Sequence, residues 1–506
     1  MASDKLWSVF EVLSALFIFM VGLIAALVLV VYIIDVTQTQ HAIRRNYPVI
    51  GRLRYFFEWL GKYFRQYFFA MDREEMPFNR AQRGWVYRSS KGEDNTIAFG
   101  SSRDLRPAGT VLFVPSMFPV LERDSVPPGE ITVGPHCRHP YTTRSLFNIS
   151  AMSFGAISKP ALLALSRGAK EAGCWLNTGE GGLSPWHLEG GCDVVFQIGT
   201  AKYGVRDDQG NLSDEKLMEV AAHPQVRMFE IKLSQGAKPG KGGILPGIKV
   251  TPEIAAIRGI PVGQDSLSPN RHTDVNSISD LLDLIARVRD ITGKPTGFKT
   301  VVGDYEWLED LCQEILRRGA QSAPDFITID SADGGTGAAP QSLIDHMGLP
   351  IAESLPEVVD RLLQYGLKER IKIIASGKLI TPSGVAWALC VGADFVNSAR
   401  GFMFALGCIQ SLGCNKNTCP TGIATHNPHL QQGLVPADKA VRVANYARNI
   451  VHEVGIIAHS CGVDEPRRLT RRHARIVSEQ GPSIPLDRLH PRPNVLLKAL
   501  DLQASE

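Results

Sequence analysis

Three cysteines lie close together in the chain, at a spacing that suits a bound metal or an iron–sulfur cluster. Cys408, Cys414 and Cys419 follow the pattern C-x5-C-x4-C, and Pro420 comes directly after the last of them. Thiolates at such spacing are more often cluster or metal ligands than chance neighbours. Three ligands favour a three-iron cluster, because a zinc site normally takes a fourth ligand, for which His426 is available. Packing as small buried hydrophobic side chains is the remaining alternative.

Two lysines fall inside apolar segments of strand length, Lys232 in FEIKL and Lys299 in GFKTVV. A lysine in such a segment needs a negative partner or a function, because an isolated buried charge is costly. One such function is to stabilise the negative charge that a flavin carries at its N1–C2=O edge when reduced. The alternative is a structural salt bridge, for which Glu180 and Glu230 are candidates.

Glycine-rich segments follow several of the apolar segments and allow the backbone to approach a phosphorylated ligand. Residues 374–384 and 396–402 supply backbone N–H groups together with Lys378 and Arg400. In many barrels, the loops after the seventh and eighth strands bind phosphate. The segment DGGTGA at residues 333–338 follows an earlier strand. It either lines the ligand, as loops at that end of a barrel usually do, or forms a plain tight turn.

Positioning these residues requires a regular scaffold, and the pattern from about residue 145 predicts one. Short apolar segments alternate with helical stretches, which indicates a parallel sheet. Eight such units over about 260 residues predict an α/β fold, a closed (β/α)8 TIM barrel, rather than a doubly wound open sheet. The predicted strands are 146–150, 175–178, 194–198, 228–232, 296–301, 326–330, 372–375 and 395–397.

An uncharged apolar segment at residues 12–34 predicts an N-terminal transmembrane helix. At about 1.5 Å per residue it would be about 35 Å long, enough to cross a bilayer core of about 30 Å. A signal peptide has a shorter apolar region, and a buried core helix is the other alternative. Basic residues follow the segment, so we expect a single-pass membrane protein whose catalytic domain faces the cytoplasm. These basic residues are Arg44, Arg45, Arg52, Arg54, Lys62 and Arg65.

Aromatic residues alternate with these bases, which predicts a juxtamembrane helix lying on the lipid headgroups. An amphipathic helix packed on its own domain is the alternative. The aromatic residues are Phe56, Phe57, Trp59, Tyr63, Phe64, Tyr67, Phe68 and Phe69.

The predicted layout has a transmembrane anchor at 1–35, a juxtamembrane helix and N-terminal subdomain at 36–140, the barrel with its cysteine loop at 141–436, and a helical cap and tail at 437–506. The composition fits a globular enzyme, with 44% hydrophobic and 21% charged residues. A net charge of +3 gives no indication of nucleic-acid binding. Nine cysteines, an odd number, argue against a disulfide framework in a cytoplasmic domain.

Five motifs in order make the chain resemble the FMN-binding central domain of glutamate synthase, in particular its stand-alone, membrane-anchored members. The resemblance extends over about residues 80 to 460. The motifs are AMSFGAIS at 151–158, LNTGEGG at 176–182, EIKLSQGAKPGKGGILPGIKVTPEIAAIRG at 230–259, DGGTGAAP at 333–340 and ALGCIQSLGCNKNTCPTGIAT at 405–425.

This resemblance implies a barrel carrying FMN and a [3Fe–4S] cluster bound by Cys408, Cys414 and Cys419. It places the substrate 2-oxoglutarate over the flavin near Gln197, Lys232 and Lys238, which become the candidate catalytic residues. The residues that it implies for FMN binding are Met152, Ser153, Gln197, Lys299, Asp333, Gly334, Gly335, Gly377, Lys378, Arg400 and Gly401.

The activity that the resemblance implies is reductive amination. Ammonia adds to 2-oxoglutarate to give 2-iminoglutarate, and hydride transfer from reduced FMN gives L-glutamate. No glutaminase domain precedes the apolar segment and no dinucleotide fingerprint follows a predicted strand. We therefore expect free ammonia or a glutaminase partner, and electrons from ferredoxin or a separate reductase subunit. The alternatives are an N-methylglutamate synthase-type enzyme that uses an amine, and a non-catalytic membrane-tethered electron-transfer protein.

Overall fold

The computed structural model describes residues 2–479 and 481–496 and contains two compact units. One unit extends up to Gln82 and the other begins at Arg83. Residues 83–140, which the sequence analysis assigns to an N-terminal subdomain, therefore belong to the same unit as the barrel. Residues 497–506 of the predicted tail lie outside the described residues.

Eight parallel strands close into a barrel, which confirms the predicted fold and excludes the open sheet. Neighbouring strands in sequence pair with each other, and the eighth strand pairs with the first to complete the ring. The strands are β1 (Phe147–Ile149), β2 (Leu176–Asn177), β3 (Val194–Ile198), β4 (Val226–Lys232), β5 (Thr296–Thr300), β6 (Phe326–Asp330), β7 (Lys372–Ser376) and β8 (Phe395–Ser398).

The predicted strand bounds are close to those observed. Strands β3 and β6 match them at both ends, whereas β4 begins two residues earlier than predicted, at Val226. Val226 pairs with Val194, and the register then shifts by one residue between Val194 and Val195. This shift is a β-bulge, which is defined by the pairing of two strands. The spacing of apolar residues within β4 alone therefore could not predict it.

The helices that follow the strands begin and end at residues with local capping signals. Ser158 and Ser277 each accept a hydrogen bond from a first-turn backbone N–H, and Gly173 and Gly293 end their helices in the left-handed conformation. The longer helices of this unit are α5 (Lys159–Ala172), α6 (Asp214–Ala222), α7 (Ile278–Thr292), α8 (Glu306–Arg318), α9 (Ile351–Gln364), α10 (Pro382–Val391), α11 (Arg400–Leu406) and α12 (Pro436–Ser460). The helices that precede them are α1 (Ala2–Thr37), α2 (Ala42–Asn46), α3 (Gly51–Phe64) and α4 (Arg80–Lys91).

Apolar side chains fill the barrel at the amino-terminal end of its strands. Val195, Met228 and Phe326 belong to a buried cluster that also contains Trp175. A two-stranded hairpin, Ile131–Val133 paired with Tyr141–Thr143, contributes Val133 and Tyr141 to the same cluster. The interior of the barrel at this end of the strands is therefore packed with apolar side chains.

The C-terminal region contains the predicted helical cap and a sheet that was not predicted. Helix α12 packs against α5, where a Cβ on Gly168 would lie 2.6 Å from the backbone oxygen of Ala440. Beyond α12, Ala474–Ile476 pairs antiparallel with Val111–Phe113 and with Ile484–Pro485. Two short strands of the predicted tail thus belong to a three-stranded sheet, whose third strand lies more than 360 residues earlier in the chain.

The N-terminal unit consists of α1, α2, α3 and a π-helical turn at Arg65–Phe69 that continues α3. Within α1, the stretch Trp7–Thr37 is 31 residues long and apolar enough to cross a membrane, and the side chains of its most apolar window are exposed. Length and composition alone support this statement, since a signal sequence passes the same test.

Candidate functional site

A cavity lies at the carboxyl ends of the barrel strands. This is the end at which barrel enzymes place their active sites. Seven residues predicted for the site line this cavity: Gln197, Lys232, Lys299, Gly335, Gly377, Lys378 and Arg400.

Deep in the cavity, Lys299 on β5 forms an ion pair with Asp330 on β6, with 3.1 Å between Nζ and Oδ2. Burial alone would lower the pKa of Lys299, but the Asp330 carboxylate outweighs burial and raises that pKa above its ordinary value. In the same way, burial would raise the pKa of Asp330, but Lys299 and the Gly236 N–H hold it below its ordinary value. Both groups are therefore charged, which makes Lys299 a fixed cation in the floor of the cavity.

The partner of Lys299 differs from the two that the sequence analysis considered. Glu230 is buried and accepts hydrogen bonds from Gln197 Nε2 at 2.7 Å, Asn177 Nδ2 at 2.8 Å and Thr328 Oγ1 at 2.6 Å. This network orients the Gln197 side chain toward the cavity that it lines. Glu230 thus acts on the predicted site through Gln197.

A second group of charges includes Lys232 on β4, whose Nζ is 3.1 Å from Glu180 Oε1. Lys238 is buried, and its Nζ donates a hydrogen bond to the Ala338 oxygen at 3.3 Å. Burial, followed by the charge of Lys232, lowers the pKa of Lys238 to about 8. Burial would raise the pKa of Glu180, but Lys232 and Lys238 lower it below its ordinary value. Two lysines and one carboxylate leave a net positive charge that suits an acidic ligand.

The glycine loops on the other side of the cavity contact one another closely. A Cβ on Gly236 would lie 2.2 Å from the Ser331 backbone oxygen and 2.6 Å from the Cα of Gly334, so only glycine fits there. Gly377 has a φ of +108°, and a Cβ on it would lie 2.4 Å from the Cβ of Ser331. The chain at these positions is therefore bare backbone, which allows N–H groups to approach a ligand.

Two cations lie beside these loops. Lys378 Nζ is 2.9 Å from Asp333 Oδ2, and Arg400 Nη2 donates to the Asp333 backbone oxygen at 2.8 Å. A Cβ on Gly335 would lie 3.1 Å from Arg400 Nε. Gly335, Lys378 and Arg400 therefore converge on one side of the cavity, where a phosphate would find backbone and cationic donors together.

The other predicted cofactor-binding residues surround the cavity without lining it. Met152 and Ser153 follow Ala151, which lines it, and the Met152 oxygen lies 3.2 Å from His187 Nε2. Gly401 lies in α11, where a Cβ would come within 2.2 Å of the Tyr446 hydroxyl. The role of Gly401 in this structure is thus to allow close packing beneath the cavity.

The three predicted cluster cysteines lie in the loop that follows α11. Burial is the largest cause that raises the pKa of the Cys408 thiol to about 12, and the neighbouring Cys414 and Cys419 act in the same direction. The thiols are thus close enough to influence one another, and a cation among them would favour their thiolate forms. Within residues 2–479 and 481–496, no set of three His, Cys, Asp or Glu side chains has the geometry of a metal site. His426, the alternative fourth ligand, has its Nε2 2.9 Å from the Gly155 oxygen.

Asp330 and Gln235 are site residues that the sequence analysis missed. Asp330 ends the predicted strand 326–330, which directly follows the predicted strand that carries Lys299. A carboxylate at that position could have been recognised from the sequence as a partner for the lysine. Gln235 lines the cavity, and its Oε1 accepts a hydrogen bond from Lys232. His272, also buried, has its Nε2 3.0 Å from the Lys232 backbone oxygen.

Comparison with known proteins agrees with these observations. A family profile described as "Conserved region in glutamate synthase" matches residues 120–464. The glutamate synthase large subunit-like protein YerD of Bacillus subtilis (strain 168) is 39% identical over 94% of this chain and 98% of its own length. An archaeal-type glutamate synthase (NADPH) of Thermotoga neapolitana is 38% identical over 62% of this chain and 59% of its own length. An archaeal glutamate synthase (NADPH) of Methanocaldococcus jannaschii is 37% identical over 65% and 61%, respectively. The chain thus spans about three fifths of these two longer relatives.

Solved structures show more distant likeness. A flavocytochrome b2 mutant with benzoylformate has a TM-score of 0.46 at 15% identity, covering 84% of each chain. A mandelate oxidase mutant with a monooxide FMN adduct has a TM-score of 0.42 at 18% identity, covering 71% of this chain and 87% of its own. At these TM-scores and identities, the likeness supports no conclusion about the reaction or the ligand.

Proposed function

The chain belongs to the glutamate synthase family, and from that premise we propose that it is an FMN-dependent oxidoreductase that converts 2-oxoglutarate and ammonia to L-glutamate. The observation that carries the proposal is the gathering of cations around one cavity. Lys232, Lys299, Lys378 and Arg400 line it, and the charge of Lys232 acts on the buried Lys238.

The donors around the cavity fit FMN. Gly335, Gly377, Lys378 and Arg400 would hold the phosphate, because bare backbone and two cations meet there. Lys299 and Gln197 would face the ring, since their partners Asp330 and Glu230 hold both side chains in place. When bound, FMN would supply the hydride that reduces the imine carbon.

Lys232 and Lys238 would bind the two carboxylates of 2-oxoglutarate. Glu180 remains ionised beside Lys232. The Glu180 carboxylate and the Gln235 side-chain oxygen together hold Lys232 Nζ in position. A dicarboxylate bound at both ends would present its keto carbon in one orientation, which is the main contribution that positioning residues make to such a reaction. The proposed 2-iminoglutarate forms when ammonia, free or delivered by a glutaminase partner, adds at that carbon and the keto oxygen leaves as water.

Cys408, Cys414 and Cys419 would hold a [3Fe–4S] cluster. Three thiols in one loop form a donor set that suits iron and sulfide. Burial raises the pKa of Cys408 and of Cys414, so a bound cation would favour the thiolate forms of these two residues. The cluster would accept single electrons from ferredoxin or from a separate reductase subunit.

The stretch Trp7–Thr37 would anchor the protein as a single transmembrane helix. Basic residues follow it, including Arg44 and Arg45, and by the positive-inside rule they support a cytoplasmic position for the catalytic unit. The domain layout given above, with its anchor at 1–35 and barrel at 141–436, remains a prediction.

The test is cofactor analysis and turnover of the detergent-purified protein. We expect FMN, about three iron atoms per chain, and L-glutamate from 2-oxoglutarate, ammonia and reduced ferredoxin. Methylamine in place of ammonia separates the amine-using alternative, which would produce N-methylglutamate in preference to glutamate. Protein that carries both cofactors but turns over no 2-oxo acid with either nitrogen source would overturn the catalytic proposal.

A further inference from the structure

Helix α3 and the π-helical turn after it expose a run of large apolar side chains. Phe57 is 60% exposed, and Phe68 and Phe69 are 73% and 75% exposed. Soluble monomers rarely leave a contiguous apolar surface of this kind uncovered. The further exposed members of the run are Leu53, Phe56, Trp59, Tyr63, Phe64 and Tyr67.

Four of these residues lie on one side of the helix. Leu53, Phe56, Phe57 and Phe64 have the i, i+3, i+4 and i+11 spacing that brings side chains onto a common face. We call this set the apolar face. Arg54, Glu58 and Arg65 share a second face of the helix, with the spacing i, i+4 and i+11, and all three are exposed. This face lies about a quarter-turn around the helix axis from the apolar face. The helix is therefore amphipathic, with an apolar face and a face that is mainly basic.

The chain itself indicates what covers the apolar face. Helix α3 begins at Gly51, fourteen residues after the end of the Trp7–Thr37 stretch. An ion pair ties the two helices together, since Arg52 Nη2 lies 2.8 Å from Asp35 Oδ1; Asp35 is buried and Arg52 is partly exposed. The Val49 backbone N–H also donates to Asp35 Oδ2 at 3.0 Å. These contacts form an elbow that keeps α3 next to the end of the apolar helix.

Aromatic side chains with interleaved arginines are typical of helices in the headgroup region of a bilayer. A protein partner would more often meet an apolar surface with a mixed polar rim. The excess of arginine over glutamate on the polar side further favours an anionic lipid surface.

We propose that the apolar face of α3 lies flat in the headgroup region of an anionic bilayer as a second membrane contact, held at its angle by the Asp35–Arg52 elbow. The proposal rests on the membrane anchor suggested above and is independent of the reaction. Phe57 and its neighbours on the apolar face enter the bilayer interface, and Glu58 faces water.

The test is tryptophan quenching by brominated lipids in the full-length protein reconstituted into bilayers. In a Trp59→Phe background, Phe57→Trp places a probe on the apolar face and Glu58→Trp places a matched probe one residue away on the polar face. The signal of each added tryptophan is its difference from the background protein. We expect at least about twofold stronger quenching at position 57 than at position 58 in bilayers of brominated phosphatidylcholine with phosphatidylserine.

Alkaline extraction shows whether the protein is anchored in the bilayer. If the protein stays in the bilayer and both positions are quenched equally, the proposal is wrong and the membrane anchor is still supported. Release of the background protein by alkaline extraction would overturn the anchor and the proposal together, and glutamate formation by that same protein would still report on the proposed function. Arg54→Gln with Arg65→Gln, which leaves the apolar face intact, should reduce the quenching at position 57 on anionic bilayers only. An equal effect on bilayers of phosphatidylcholine alone would refute the anionic specificity.

Discussion

The affinity for the proposed substrate, 2-oxoglutarate, should fall as the pH rises, because one buried lysine loses its charge. Lys238 has its pKa lowered to about 8 by burial and by the charge of Lys232. Below that pH its ammonium is present and can bind a carboxylate, and above it the charge is lost. The carboxyl groups of the ligand are ionised over this whole range, so they contribute no pH dependence there.

The size of the effect follows from the fraction of Lys238 that is protonated. One pH unit above the pKa only about a tenth of the free protein carries the charge, so the dissociation constant should rise about tenfold per pH unit above about pH 8. The rise should level off where the whole contribution is lost. A hydrogen bond to a charged group contributes about 1.5–3 kcal/mol, which corresponds to about 10- to 150-fold in affinity.

The assay is calorimetric titration of 2-oxoglutarate into the purified protein from pH 6.5 to 9.5 at constant ionic strength. Binding without turnover keeps the ionisation of ammonia out of the measurement. Lys238→Arg should bind with constant affinity over this range, because a guanidinium keeps its charge. Lys238→Met should bind weakly at every pH, and Lys241→Arg, a change at an exposed lysine of the same loop, should leave the pH dependence unaltered. Wild-type affinity that stays constant to pH 9.5, or the same pH dependence in Lys238→Arg, would refute the role of Lys238.

Three other substitutions test the floor of the cavity, the cysteine loop and the glycine loops. Lys299→Met leaves Asp330 buried without its cation and should lower the free energy of unfolding by about 3–5 kcal/mol in urea denaturation, with part of the loss recovered by adding Asp330→Asn. Cys414→Ser should abolish iron binding and reduction of the flavin by a one-electron donor, whereas Cys312→Ser, at a buried cysteine of α8, should leave the iron content unchanged. Gly236→Ala should push the two glycine loops apart and weaken flavin retention during gel filtration.

Each of these expectations has a result that contradicts it. If Lys299→Met with Asp330→Asn is no more stable than Lys299→Met alone, the loss of stability does not come from an unpaired Asp330 carboxylate. Full iron content in Cys414→Ser would show that the ligand assignment is wrong. Gly303→Ala is the control for the loops, because a Cβ there meets no atom within 4 Å, and equal flavin loss in both glycine variants would contradict the close-contact argument.

Much of the scaffold and the chemistry could be predicted from the sequence, because both have local signatures. Each strand is a short apolar segment between glycine-rich loops, so the strands of the barrel could be located without knowing their neighbours. Lys232 and Lys299 could be identified because a charge interrupts such a segment. The cysteine spacing and the 31-residue apolar stretch are likewise properties of the chain read in order.

Only the tertiary structure decided which groups face one another. Lys299 pairs with Asp330 and not with Glu230, because the stagger of the strands around the barrel sets which carboxylate comes within reach. The residues that complete the Ala474–Ile476 strand lie at the opposite end of the unit's sequence, and no local periodicity could reveal them. Apolar periodicity records whether a side chain is buried, but the identity of its partner depends on contacts between distant segments, which exist only after the chain has folded.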